Sequence, residues 1–107
     1  TAPFYGQAGP PVFHIFAEGC SIMLDLNDYY SYPPEDICIV YLGRENNRNI
    51  LLIWGFGWEG TYAGSVLMSN SSNWTQYANN HLLLLRWRDL NGDRYIQMTE
   101  IIVEVVR

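Results

Sequence analysis

The fold class is clearest in a stretch near the middle of the chain, Asp36-Ile37-Cys38-Ile39-Val40-Tyr41-Leu42. Successive side chains of a β-strand point to opposite faces of its sheet. Every residue after Asp36 in this stretch is aliphatic, aromatic or cysteine, so both faces of the predicted strand are apolar. This pattern is typical of a central strand that is covered on both sides. A polar turn at residues 43–49 and a second apolar run at residues 49–54 predict an adjoining strand.

Short apolar segments on either side of this pair predict further strands, because turn-forming residues bound each of them. These segments lie at residues 12–16, 20–26, 61–68, 81–88 and 95–106. The glycines of residues 55–60 and the change of apolar face near Thr99-Glu100 each predict a bulge or bend. About seven such strands predict an all-β fold, an antiparallel immunoglobulin-like β-sandwich. We expect one domain over residues 1–107, with the Pro- and Gly-rich residues 1–11 as an extended arm.

The charge composition limits the classes of partner. Only 16% of the residues are charged, and all six cationic residues are Arg, whereas about 25% is usual in soluble domains. So little charge predicts a surface covered by neighbours, glycans or further polypeptide, or else reflects an amino-acid bias of the source lineage. The net charge of −5 argues against nucleic acid as a partner. No apolar run approaches the ~18 residues of a transmembrane helix, so no membrane span is predicted.

The sharpest local pattern is the segment of residues 89–100, DLNGDRYIQMTE. Its oxygen side chains at positions one, three, five and twelve, and the carbonyl at position seven, belong to Asp89, Asn91, Asp93, Glu100 and Tyr95. The spacing resembles the calcium loop of EF-hands and dockerins, because Ca²⁺ binds several oxygens on a curled loop. Arg94 departs from the pattern at position six, where Gly is usual. Asn91-Gly92 also predicts a plain two-residue hairpin, and one loop could serve both roles.

Cys20 and Cys38 are the two cysteines of the chain. Neither belongs to a CxxC pair, and His14 and His81 are not at zinc-finger spacing. Each cysteine lies in a predicted strand and the intervening residues can turn. We therefore expect a disulfide between them, which would add about 3 kcal/mol of stability in the chain-entropy model. The alternative is two unpaired, buried thiols.

Two adjacent glycosylation sequons lie on a predicted polar loop, Asn70-Ser71-Ser72 and Asn73-Trp74-Thr75. In a secreted chain, a glycan on Asn70 or Asn73 is expected. Aromatic residues that could contact a sugar or a protein partner are Trp58, Trp74 and the Tyr-rich residues 29–32. Catalytic patterns are absent from the sequence: there is no nucleophile elbow, phosphate-binding loop or histidine with a neighbouring acid. We therefore do not expect an enzyme.

Residues 54–63 (WGFGWEGTYA), 81–87 (HLLLLRW) and 89–93 (DLNGD) resemble β-sandwich modules of archaeal cell-surface proteins. Such modules occur in surface layers, in extracellular filaments and beside secreted proteases. The resemblance implies an outward-facing structural module, often stabilised by calcium and glycans, and it implies no catalytic residue.

The leading functional hypothesis is a structural subunit of an extracellular homo-oligomer or polymer, such as a filament or surface layer. The first predicted strand, Val12, Phe13, His14, Ile15 and Phe16, would pair with a neighbouring subunit by strand exchange. The alternative is a secreted carbohydrate-binding module or an accessory module of an extracellular enzyme.

Overall fold

The computed structural model describes residues 11–107, which fold into a mostly β structure that also contains helices. Its elements, in chain order, are β1 (Val12–Ala17), β2 (Cys20–Asp25), α1 (Leu26–Tyr30), β3 (Glu35–Glu45), β4 (Arg48–Gly55), α2 (Trp58–Ser69), α3 (Ser71–Gln76), β5 (Leu82–Arg88), a 3₁₀ turn (Met98–Glu100) and β6 (Ile101–Val106). Among these described residues, no helix has the length and apolar composition that a membrane-spanning helix needs.

All strand pairs are antiparallel. A four-stranded sheet has the order β4-β3-β5-β6, and β1 and β2 form a separate hairpin. The predicted central strand is confirmed, since β3 pairs with β4 on one side and with β5 on the other. Glu45 and Arg48 close the β3–β4 hairpin around Asn46 and Asn47, which have φ of 51° and 63°. Two consecutive positive φ values are typical of a type I′ turn, which Asn tolerates.

The sheet is the middle layer of three. On one face, Cys38, Val40 and Leu85 pack with Ala63 and Leu67 of α2. The opposite face is covered by the β1–β2 hairpin, where a second apolar cluster comprises Ile37, Leu82, Leu84, Ile15, Ile22 and Leu24. Alternate residues of β3 and β5 therefore enter different clusters, which explains why residues 37–42 of β3 and residues 82–85 of β5 are apolar on both faces.

Helix α2 corrects the prediction of a strand at residues 61–68. It begins close to the sheet because its glycines permit near contact: a Cβ on Gly60 would lie 2.3 Å from the Ile37 carbonyl oxygen, and one on Gly64 would lie 2.6 Å from Ile53 Cγ2. The described residues contain six strands rather than seven, and a helical layer takes the place of one sheet of the predicted sandwich. The coarse prediction of an antiparallel, mostly β fold is confirmed.

The last predicted strand is also shorter than expected. Residues 95–97 are irregular and β6 begins only at Ile101, after the 3₁₀ turn. Asn91-Gly92 is not a two-residue hairpin turn, because residues 89–100 all lie between β5 and β6. The predicted irregularity near Thr99 is this 3₁₀ turn, and a shift in the β5–β6 register lies between Leu84 and Leu85.

Candidate functional site

The segment between β5 and β6 folds around its own carboxylates. One oxygen of Asp89 accepts a hydrogen bond from the backbone N–H of Gly92 (3.1 Å), and the other accepts from Arg94 N–H (2.9 Å). Asp93 likewise accepts from Tyr95 N–H (2.9 Å). Such Asx turns bend the chain back over the side chain that accepts the bond. The segment therefore curls, as the predicted calcium loop requires.

Glu100 reaches back from the end of this segment to its beginning. One carboxylate oxygen accepts from Leu90 N–H (2.9 Å), and the other accepts from the Trp87 indole N–H (3.3 Å) and from Gln97 N–H (3.2 Å). The 3₁₀ turn fixes this direction through reciprocal capping by Gln97 and Glu100. Position twelve of the predicted loop thus lies beside position one.

Three of the predicted metal ligands come together. Oxygens of Asp89, Asp93 and Glu100 lie within 4.8 Å of one another; Asp89 and Glu100 are buried, and Asp93 is exposed. Carboxylates this close repel one another, and a bound divalent cation would offset that repulsion. Carboxylate oxygens are also the ligands that Ca²⁺ prefers. The three carboxylates could therefore hold a metal ion.

The other two predicted ligands, Asn91 and Tyr95, belong to the same loop. The Asn91 side chain accepts from Asp93 N–H (3.2 Å) and donates to the Gln97 side chain (3.2 Å). Tyr95 supplies its backbone N–H to Asp93, and its ring is exposed. Asn91 thus helps to hold the curl of the loop.

Arg94 explains how the loop accommodates a residue other than Gly at position six. Its φ is 64°, in the left-handed region that glycine adopts most easily. The guanidinium lies 5.0 Å from the centre of the Tyr32 ring, a cation–π contact, and the Tyr32 hydroxyl donates to the Gly92 carbonyl. The positive charge therefore stacks on Tyr32. Sequence reasoning missed this support for the loop, because Tyr32 lies far away in the chain.

The predicted disulfide between Cys20 and Cys38 is wrong: both thiols are free. Cys38 is fully buried among the residues under α2, whereas Cys20 packs against the cluster under the β1–β2 hairpin. The sheet thus separates the two thiols. Burial raises the pKa of Cys38 to about 12, which makes this thiol a poor nucleophile.

The two sequons differ in their surroundings. Asn70 is exposed and caps α3 by accepting a hydrogen bond from Ser72 N–H (3.1 Å). Asn73 is buried, and its side-chain amide donates to the Leu67 carbonyl (2.8 Å). In the folded chain, therefore, Asn70 presents its side chain to solvent and Asn73 does not.

The predicted interface strand, Val12 to Phe16, lies in β1 and pairs with β2 along its whole length. Glu18 and Gly19, with φ of 50° and 80°, form the tight turn between the two strands. Ile15 is buried and Phe13 contacts the rings of Trp54 and Phe56, whereas Val12, His14 and Phe16 point outward. The remaining arm, residues 1–10, lies outside the described residues.

Strand β4 forms a sheet edge that sequence reasoning did not single out. It pairs with β3 on one side, and its other side has no strand partner among residues 11–107. Leu51, Leu52 and Trp54 are each about half exposed, at 52%, 51% and 52%. The apolar run was visible in the sequence, but its position at an edge depends on the order of the strands.

A cleft of about 860 Å³ opens between the tip of the β3–β4 hairpin and the end of the helical layer. Three aromatic residues, Tyr41, Trp74 and Tyr77, line it together with Arg44 and Asn80. The Trp74 ring is exposed, and its indole N–H donates to the Met68 carbonyl (2.5 Å). Trp58, the other predicted sugar-binding Trp, lies outside this cleft at the start of α2, next to Tyr62.

Comparison of the chain with protein-family models, with curated proteins and with solved structures finds no match.

Proposed function

We propose that the protein is a structural subunit of an extracellular assembly, in which subunits join by pairing β-strands. The observation that carries this proposal is the edge of β4, which has no strand partner among residues 11–107. An unpaired edge strand presents a row of N–H and C=O groups that a strand from another chain can satisfy.

Proteins that must stay monomeric protect such edges with charged residues, prolines, bulges or very short strands. Strand β4 is eight residues long, and no charged residue or proline lies between Arg48 and Trp58. Its pairing with β3 runs from Glu45–Arg48 to Cys38–Gly55 without a bulge. Within the part of the chain that the structure describes, this edge therefore lacks the usual protection and favours association.

The opposite edge of the sheet, β6, is better protected. It is six residues long and carries Glu104, which forms an ion pair with Arg86 (2.7 Å). A charged residue in the middle of an edge strand opposes pairing with an apolar strand, because the charge would lose water. Of the two edges of the four-stranded sheet, β4 is thus the better site for association.

Strand exchange by β1 remains part of the proposal. The β1–β2 hairpin supplies an exchangeable element, since β1 of a neighbour would form with β2 the same pairs that β1 forms now. The turn of Glu18 and Gly19, which joins β1 to β2, would open and act as the hinge. Deletion of residues 1–16 is expected to weaken assembly if β1 is exchanged, and unchanged assembly would remove β1 from the mechanism.

A calcium ion at Asp89, Asp93 and Glu100 would fix the connection between β5 and β6. The expected role of the ion is structural, because two of the three carboxylates are buried and already hold the loop backbone. Extracellular calcium concentrations are high enough to occupy even weak sites of this type.

Electron microscopy and light scattering of the purified protein, at increasing concentration, test the proposal. Wild type is expected to form ordered oligomers, and Leu51→Lys is expected to weaken them by placing a charge on the β4 edge. Ile102→Lys is the matched control, because Ile102 is 55% exposed on the β6 edge. A monomer at all concentrations, with or without calcium, would contradict the proposal.

Carbohydrate binding is the second candidate function, and the cleft at Trp74 favours it. Exposed aromatic rings stack on sugar rings, and Arg44 and Asn80 supply hydrogen-bond donors beside them. Glycan-array binding that is lost in Trp74→Ala but retained in Trp58→Ala would support this function. Absence of binding to any glycan would remove it.

A further inference from the structure

The backbone groups on the free side of β4 can be assigned from its pairing with β3. Glu45 and Arg48 close a two-residue turn, so they form a hydrogen-bonded pair, and such pairs then recur at every second residue. The hydrogen bond from Phe56 N–H to the Ile37 carbonyl (3.2 Å) fits this alternation, because residue 56 is an even number of residues from Arg48. Residues 48, 50, 52 and 54 therefore bond to β3.

The residues between them direct their backbone groups outward. These residues are Asn49, Leu51 and Ile53. Gly55, the next residue in this series, donates its N–H to the Thr61 hydroxyl (3.0 Å) instead of to a strand, which agrees with an outward direction. The free edge thus offers a short row of backbone donors and acceptors that ends where α2 begins.

We propose that the occupant of this edge is β4 of a second copy, in antiparallel orientation, with Leu52 of one copy opposite Leu52 of the other. The inference rests on the proposed assembly function and names the contact through which two subunits join. The two four-stranded sheets then form one continuous eight-stranded sheet around a two-fold axis.

The register follows from side-chain matching. A two-fold axis at Leu52 places Leu51 opposite Ile53 of the second copy, and Ile50 opposite Trp54, so each of these pairs is apolar. It also lets Leu51 and Ile53, whose backbone groups point outward, form about four hydrogen bonds across the axis. Moving the axis to Leu51 would place the polar Asn49 opposite Ile53.

The orientation follows from charge. Parallel pairing in register would place Arg48 of one copy beside Arg48 of the other. Antiparallel pairing instead brings Arg48 to the end of β4 that Glu59 follows in the second copy. The segment between these two residues carries no charge, so no ionised side chain loses water at the centre of the contact.

Site-directed disulfide formation tests the pairing, in a background of Cys20→Ser and Cys38→Ala. Leu52→Cys alone is expected to give a covalent dimer on mild oxidation, because the two Cα atoms of a non-hydrogen-bonded pair lie about 4.5 Å apart. Leu51→Cys is the matched control, since Leu51 is equally exposed but lies opposite Ile53. On its own, the Leu51→Cys variant is expected to give at least ten times less covalent dimer than Leu52→Cys. When it is mixed with the Ile53→Cys variant, it is expected to cross-link.

Leu51→Pro provides a second measurement. It removes an outward N–H and leaves the bonds to β3 in place, and it should raise the dissociation constant of the dimer at least tenfold in light scattering. If oligomers form but Leu52→Cys does not cross-link and Leu51→Pro has no effect, the β4–β4 contact is wrong and the proposed assembly function stands. If wild type is monomeric at every concentration, the β4–β4 contact and the proposed assembly function are both wrong.

Discussion

Removal of the Asp36 carboxylate should destabilise the protein strongly, although Asp36 takes no part in the proposed contacts. Asp36 belongs to β3 and is fully buried beside the start of α2. One of its carboxylate oxygens accepts hydrogen bonds from the N–H groups of Gly57 (2.9 Å) and Gly60 (2.7 Å). The other oxygen accepts from Ile37 N–H (2.8 Å). Asp36→Ala leaves these donors without a partner. An unpaired buried donor costs about 1–3 kcal/mol, so we expect a loss of about 3–5 kcal/mol.

Guanidinium denaturation followed by circular dichroism and Trp fluorescence measures this loss. Asp25→Ala is the control, because Asp25 caps the short, exposed helix α1 through a single bond to Asn27 N–H (2.8 Å). Its expected cost is about 0.5–1 kcal/mol. A loss below 1 kcal/mol for Asp36→Ala would refute the view that this carboxylate fixes the start of α2 against the sheet.

Burial raises the pKa of Asp36, against the opposing effect of the N–H groups of Gly60, Ile37 and Gly57. The folded chain therefore holds this proton more tightly than the unfolded chain does. The contribution of Asp36 to stability is greatest below the ordinary carboxyl pKa, and it falls as pH rises toward the raised folded value. The stability advantage of wild type over Asp36→Asn should accordingly shrink as pH rises through this interval. An advantage that grows with pH would contradict this assignment.

Three further predictions concern the loop, the thiols and the sequons. Asp93→Ala should lower calcium affinity in titration calorimetry at least tenfold, and equal affinity would exclude Asp93 as a ligand. In the native protein a thiol reagent should modify Cys20 and spare Cys38, which should react only after unfolding; a mass that changes on reduction would instead indicate a disulfide. Expression in a glycosylating host should attach a glycan at Asn70 and leave Asn73 unmodified, as peptide mass spectrometry can verify.

The sequence predicted the sheet well where burial sets the pattern. Residues 37–42 are apolar on both faces because α2 covers one face and the β1–β2 hairpin covers the other. The prediction failed at residues 61–68, where a short apolar segment bounded by turn-forming residues suggested a strand. Helix α2 forms there because Asp36 of β3 accepts a hydrogen bond from its first turn, and because Gly60 and Gly64 permit close packing against the sheet. Both effects are tertiary.

The candidate site was predictable only where it is local. The loop ligands Asp89, Asp93 and Glu100 lie within one short segment, so their spacing alone brought them together. The exposed edge of β4 could not be recognised in the same way. The sequence of an apolar strand does not show whether the strand lies at the centre of a sheet or at its edge, because that position depends on the order of the strands.

Hydrogen exchange of the backbone N–H groups of Leu51 and Ile53 tests the central claim, assembly through β4, most directly. Both groups point away from β3, so they should exchange rapidly in dilute protein and become protected as oligomers form. The N–H of Leu52, which bonds to β3, should be protected at every concentration. Rapid exchange at Leu51 and Ile53 in fully assembled protein would contradict strand pairing at this edge.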